Sequence, residues 1–177
     1  MVRRDADPSL DKVRVNDKGE YEYFGNTNWL DIIYKDQNYS TEHNVSISGG
    51  NERARYYVSG RYYNQDGIYN AGDEKYTQYN IRSKGEIQIN KSLLLENNTD
   101  VMIFRSHQPM VMYDRQNITR QAQHQGYPVT MEKNPDGTWT EAAVYIGWAG
   151  FVEGTSWQKD NKLDVRNTTT LTYTPIK

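Results

Sequence analysis

The sequence predicts an all-β fold: an open antiparallel meander of about five long strands, a segment of a large transmembrane β-barrel with long extracellular loops. Three observations predict it. Hydropathy alternates with a period of two over runs of a dozen residues or more. Each run has an apolar or aromatic side and a polar or charged side. The connections between runs alternate between short turns and longer loops, as they do in membrane barrels.

Composition sets the bounds. Leu, Ile, Val and Phe make only 32 of the 177 residues. A chain that poor in aliphatics belongs with disordered proteins when its net charge is also high. Here 21 basic residues meet 23 acidic ones, and 15 Tyr and 4 Trp supply amphipathic bulk, so Tyr-rich β structure is favoured over disorder. The near-neutral balance gives no basic footprint for nucleic acid. Cys is absent, which excludes disulfides, thiol catalysis and thiolate metal sites. No apolar run reaches the 18 or so residues of a membrane helix, although barrel strands need no such run. The start, Met1 to Asp7, is charged and lacks the apolar stretch of a signal peptide. The expectation is a cytosolic protein or a piece of a longer chain.

The elements follow in order. Residues 1–28 are polar, with turn signals at Asp7-Pro8, Asn16-Asp17-Lys18-Gly19 and Gly25-Asn26. Asn28 is a candidate N-cap for one or two helical turns from Trp29 to Tyr34. From about residue 41, His43, Val45 and Ile47 alternate with Asn44, Ser46 and Ser48. Gly49-Gly50-Asn51-Glu52 then reads as a tight hairpin turn. The return strand carries Ala54, Tyr56, Val58, Gly60 and Tyr62 on one face, with Arg55, Ser59 and Arg61 on the other. A medium loop runs from Asp66-Gly67 to Asp73. The clearest alternation follows: Thr77, Tyr79, Ile81, Ser83, Gly85, Ile87 and Ile89 against Gln78, Asn80, Arg82, Lys84, Glu86 and Gln88. After Asn90-Lys91-Ser92, a strand from Leu93 to Phe104 puts Leu93, Leu95, Thr99, Val101 and Ile103 on one face, with a polar exception at Asn97. The last strand sets Leu163, Val165, Thr169, Leu171 and Tyr173 against Asp164, Arg166, Thr168, Thr170 and Thr172.

This divides the chain into an extracellular loop segment with a short helix (1–40), four barrel strands in two hairpins (41–104), a long extracellular loop (105–160) and a further barrel strand (161–177). Soluble strands average about 5–6 residues, while a spanning strand needs about 9–11. Periodicity alone leaves a large soluble antiparallel sheet with one solvated face equally open, and the alternation of short and long connections favours the barrel. In this reading Arg61, Arg82, Lys84, Glu86 and Arg166 line the lumen and the aliphatic face meets lipid. The turns at 49–52 and 90–92 are periplasmic.

Catalytic and metal chemistry has little support. His43, His107 and His124 lack metal-pair spacing. Asp5, Asp7 and Asp11 suggest a calcium loop, but Pro8 interrupts it and the required glycine and terminal Glu are missing. No nucleophile elbow, P-loop or dinucleotide fingerprint occurs. Five Asn-X-Ser/Thr sequons, at Asn38, Asn44, Asn97, Asn117 and Asn167, fall largely inside strands, where alternation already accounts for them. Neither catalytic residues nor cofactors are expected.

Asn28-Trp29-Leu30-Asp31-Ile32-Ile33-Tyr34, then His43-Asn44-Val45-Ser46-Ile47-Ser48-Gly49-Gly50-Asn51-Glu52, Arg55-Tyr56-Tyr57-Val58-Ser59-Gly60 and Asn64-Gln65-Asp66-Gly67-Ile68 resemble the early barrel of the SusC/RagA family, TonB-linked outer-membrane transporters of Bacteroidetes. The resemblance extends over roughly residues 26–104 and 160–177. It implies a fragment carrying about five of a barrel's 22 or so strands, without plug or TonB-contacting segment. A whole relative imports oligosaccharides or peptides together with a SusD-like surface lipoprotein. The loops at 1–40 and 105–160 would then serve the outer vestibule and the lipoprotein contact. Trp139, Trp148 and Trp157, all outside the expected strands, become candidate substrate contacts, since an indole can stack on a sugar face. Packing within the loop is the plainer role for them. The other class of reading is a soluble secreted β-rich carbohydrate-binding module. It requires a second sheet to cover the apolar faces.

Overall fold

The computed structural model describes residues 11–110, 118–154 and 157–175. Asp5, Asp7 and Asn117 lie outside the described residues. The described chain forms two compact units, one of residues 38–67, 74–108 and 158–175, the other of 11–37, 68–73, 109–110, 118–154 and 157.

The first unit is a single sheet. Strands β3 (Ser40–Gly50), β4 (Ala54–Asp66), β5 (Lys75–Asn90), β6 (Leu93–Pro109) and β7 (Trp157–Tyr173) lie in chain order. They are 11, 13, 16, 17 and 17 residues long. The β3–β4, β4–β5 and β5–β6 pairs are antiparallel. Four hydrogen bonds set β7 against β6: Ser92 with Thr174, Asn97 with Thr169, Thr99 with Asn167, and Ser106 with Asp160. Climbing one strand descends the other, so this pair is antiparallel too. The predicted open meander is the observed architecture.

Local chemistry makes the tight turns. Asn51 accepts the N–H groups of Arg53 and Ala54 at 2.8 and 2.9 Å, while its own N–H bonds Ala54 O. Asn90 does the same for Ser92 at 2.8 Å. These side chains mimic a backbone turn, which is why Asn recurs at such corners.

The strands outrun the alternation. β6 continues through Arg105-Ser106-His107-Gln108 to Pro109, and β7 starts at Trp157. These ends have almost no aliphatic residue to mark a face, yet backbone pairing persists, with Lys75 still opposite His107. Ile89 departs from the expected pattern. A bulge between Gln88 and Asn90 brings Asn90, not Ile89, opposite Leu93.

The second unit is built from short pieces. β1 (Val13–Val15) and β2 (Tyr21–Tyr23) form a small antiparallel hairpin. Asn16 holds its turn by accepting from Lys18 and Glu20 N–H, both at 2.9 Å. Helix α1 (Trp29–Ile33) is capped by Asn28, as expected, whose side chain accepts from Leu30 N–H at 3.2 Å. Asn70 closes its far end by donating to the carbonyls of Asp31, Ile32 and Tyr34. The long 105–160 segment contains α2 (Ile118–Gln125), α3 (Glu141–Ile146) and α4 (Trp148–Glu153). Six to eight residues are too few to display a 3.6 period, so the sequence hid them. Gly147 ends α3 and begins α4 at φ 91°, a left-handed conformation open to glycine and costly for most residues.

Trp29, Ile33, Ile118, Ala122, Ala143, Ile146, Trp148 and Phe151 form the core of this unit. Thr140 is buried among them. Its hydroxyl donates to Met131 O and accepts from Ala143 N–H as the α3 cap. Ile146 is 0% exposed. Ile146→Ala should therefore destabilise this unit by about 2–5 kcal/mol, through lost transfer energy and a residual cavity. Loss of the near-ultraviolet circular dichroism of its indoles on denaturant titration measures that shift.

Candidate functional site: a two-faced wall and its helical loops

The registers sort the sheet into two surfaces. On one, Val45 is opposite Gly60, Gly60 opposite Ile81 and Ile81 opposite Val101. The next row is Ile47, Val58, Ser83 and Thr99, and another is His43, Tyr62, Tyr79 and Ile103. Ile87 meets Ala54 and Leu95. Of the expected sharing of a face by Tyr79, Ile81, Ile87 and Ile89 with Leu93, Leu95, Val101 and Ile103, the pairing gives all but the Ile89–Leu93 end, where the bulge sets Asn90 opposite Leu93. Leu163, Val165 and Leu171 of β7 share this surface by the β6–β7 register. Val45 is 73% exposed and Leu163 70%. Ile47, Ile81, Ile87, Val165 and Leu171 are exposed on it as well, so apolar side chains stand uncovered across the sheet, as on a surface that meets an apolar medium or partner.

The opposite surface is wet. Between the turns it carries Arg55, Arg61, Arg82, Lys84, Lys162 and Arg166 against Glu42, Glu86, Glu96, Asp100, Asp160 and Asp164. The five charged residues expected on the lumen side are all among them. Arg61 reaches Glu42 at 2.8 Å across the β3–β4 pair, and Glu42 also accepts from Asn44 at 2.7 Å. Arg166 pairs with Asp164 at 2.6 Å. Exposed pairs of this kind add about 0–1 kcal/mol and chiefly order the surface. Towards the end of the sheet that carries the longer connections, Tyr63, Tyr76 and Phe104 form an edge-to-face row, centroids 5.8 and 4.8 Å apart. Tyr63 and Tyr76 donate their hydroxyls to Gln65 and Gln78, and Gln78 donates on to Asn80. This surface offers amides, hydroxyls and balanced charge. It suits solvation.

Among the described residues, no three His, Asp or Glu side chains converge to hold a metal. His43 stacks on Tyr62 and His124 sits in the last turn of α2.

The tryptophans separate by environment. Trp148 is 3% exposed, stacks on Phe151 at 5.8 Å, and donates its N–H to Glu132 at 2.7 Å. In this conformation its ring has no open face. Trp139 is half-buried, donates to Glu153 at 2.6 Å, and holds the Lys133 ammonium 4.3 Å from its ring centre. Trp157 is exposed at the start of β7. Trp29, not named as a contact, is buried and donates towards Tyr127 O and Thr130.

The sequence passed over one feature of the apolar face. Asn97, the polar exception, bonds Thr169, and Asn167 bonds Thr99. In the sequence Asn167 stands out only as part of a sequon, because polar residues in β7 are common. Two Asn-X-Thr runs at matching depth on neighbouring strands were the available signal.

The fold and its faces thus define a class: an all-β wall, apolar on one side and wet on the other, with helices built into one connection. A stretch of 67 residues, 37% of this chain, is 37% identical to TonB-dependent receptor P3 of Formosa agariphila. The chain matches 6% of that protein's length. The similarity relates this chain to TonB-dependent receptors. No family model matches it.

Two titrating groups in the helical unit are tuned by position. Burial pushes the Tyr23 phenol above its ordinary value of 10.0, and its hydroxyl donates to Asn134 at 2.5 Å. Thr138 donates its hydroxyl at 2.6 Å and its N–H at 2.9 Å to Asp136, which holds that carboxyl below its ordinary 3.8. A depressed carboxyl stabilises the fold above its unfolded pKa, and that support is lost as pH falls through the folded value. Thr138→Val should move the Asp136 midpoint back up towards 3.8, as followed by carboxyl carbon chemical shift.

Proposed function

We propose that this chain is part of the barrel wall of an outer-membrane, TonB-dependent transporter of the SusC/RagA type. Its apolar face meets lipid and its wet face lines the lumen. Uptake by such a barrel is binding and passage, with no covalent chemistry assigned to this segment. The proposed cargo is an oligosaccharide or peptide delivered with a SusD-like surface lipoprotein. TonB itself would act through parts outside this chain. Trp139 and Trp157 are the indoles left with surface for a glycan, while Trp148 serves the packing of its loop unit.

The observation that carries this reading is the exposed, mainly apolar face shared by strands of 11–17 residues. A spanning strand needs about 9–11. The likeness to a TonB-dependent receptor supports it from a separate direction. A soluble carbohydrate-binding module would need a second sheet over that face. Among the described residues the other sheet is the β1–β2 hairpin, with three residues per strand.

In plain buffer the isolated chain should sediment, and detergent should disperse it. Net charge of −2 gives little repulsion against association. Ile81→Arg should impair insertion into lipid vesicles, since an arginine near mid-bilayer costs about 2–4 kcal/mol, whereas Arg82→Ala should insert normally. A soluble monomer with a cooperative melt in plain buffer would end the transporter reading and favour the binding module.

A further inference from the structure

Four polar side chains on the apolar face close a ring. Asn97 donates its amide to the Thr169 hydroxyl at 2.8 Å. Thr169 donates to the Asn167 carbonyl at 3.2 Å. Asn167 donates to the Thr99 hydroxyl at 2.7 Å. Thr99 donates back to the Asn97 carbonyl at 2.9 Å. Each residue gives one hydrogen bond and receives one, and all bonds run in the same sense. Leu95 and Val101 flank the ring on β6, and Val165 and Leu171 flank it on β7, so it lies between aliphatic residues on both strands.

Its location answers a problem specific to this pair of strands. β3–β4, β4–β5 and β5–β6 are closed by connections of 3, 8 and 2 residues, from the strand bounds Gly50/Ala54, Asp66/Lys75 and Asn90/Leu93. Short turns fix register directly. β6 and β7 are joined through residues 110–156, a connection far too long to transmit register. Alternation does not supply it either. A slip of one residue reverses every side chain and is rejected, but a slip of two keeps each side chain on its own face. Leu95, Val101, Val165 and Leu171 are similar enough in bulk to tolerate that slip.

We propose that Asn97, Thr99, Asn167 and Thr169 form a register clasp that selects one pairing of β6 with β7 from the set alternation leaves open. In the slipped pairings Asn97 would face Leu171 or Asn167, and the ring could not close. The within-strand bonds Thr99–Asn97 and Thr169–Asn167 survive either slip, but both cross-strand bonds are lost: opposite Leu171 the Asn97 N–H groups stand unpaired on an apolar surface, where an unmet donor costs most, and opposite Asn167 a single amide–amide contact replaces two amide–hydroxyl bonds. A buried Asn specifies register in coiled coils by the same logic. Wet-face contacts between these strands, Ser106 to Asp160 at 3.4 Å, Lys162 over Phe104 at 5.4 Å and the attraction of Asp100 for the exposed Arg166 opposite it, are long or screened by solvent. They discriminate poorly.

The chain has no cysteine, so introduced pairs report register without background. Leu95→Cys with Leu171→Cys reads the observed pairing, and Leu95→Cys with Tyr173→Cys reads a slip of two. In detergent micelles the observed pairing should dominate disulfide yield by about tenfold, the value of one to two net hydrogen bonds. Asn97→Ala combined with Asn167→Ala should bring the two yields close together. Asn97→Ala alone should do nearly as much, because opening a closed ring at one point disrupts the whole. Thr99→Val with Thr169→Val, which keeps shape and removes both hydroxyls, should act likewise. Thr99→Ser with Thr169→Ser should preserve the parent ratio, which separates lost hydrogen bonding from general misfolding. Equal yields in the parent chain, or a parent-like ratio in the Ala and Val variants, would overturn the proposal.

Discussion

The cross-strand register of β4 with β5 is the constraint from which the faces of β3 to β6 follow, since comparatively short connections join these four strands. Thirteen consecutive residues of β4 face partners on β5, from Ala54 opposite Ile87 to Asp66 opposite Lys75. Fixing Gly60 opposite Ile81 commits Val58, Tyr62, Tyr79 and Ser83 to one surface and Arg61, Asn80 and Arg82 to the other. No side-chain contact on either face is strong enough alone to impose this order. The ion pairs are exposed and the aliphatic side chains have almost nothing to pack against within the sheet. Backbone pairing assembles the two surfaces, and whatever medium adjoins each surface then stabilises or rejects them.

The helical unit follows a different principle. Its elements are too short to hold themselves together, since isolated helices of under about 12 residues are marginal in water. They are held by closing polar ends and pooling a small apolar core. Asn28, Asn70 and Thr140 satisfy helix ends, and Gly147 turns one helix into the next. Glu132 and Glu153 each accept an indole N–H, so two large rings pack without an unmet donor. The unit therefore spends its tryptophans mainly on its own integrity, and Trp148 is the clearest instance.

What could be read from the amino acids tracks these two principles. The meander, the faces of Ile81 and Arg82, and the Asn28 cap were legible, because period-two alternation and capping are local signals. Strand ends past Phe104 were not, because Arg105 to Gln108 pair through backbone while showing no apolar face. The bulge at Ile89 was invisible for a similar reason: Ile there fits the alternation, and only the turn at Lys91-Ser92 forces the extra residue. Helices of six to eight residues gave no period. At the candidate site, the charged wall was legible from strand parity. The ring was not, because Asn97 looked like an isolated exception until β7 supplied Asn167 and Thr169.

The alternation has a consequence for the chain before it folds. Mean hydropathy is −0.96, and any long stretch of β5 averages Ile81, Ile87 and Ile89 with Arg82, Lys84 and Glu86. As an unpaired coil the polypeptide is water-compatible along its whole length. A machine that sorts segments by mean apolarity over some 19 residues would find nothing to retain. The greasy surface is latent. It comes into existence only when hydrogen bonding extends the backbone and sends alternate side chains to opposite sides, so the step that creates affinity for an apolar medium is strand pairing itself.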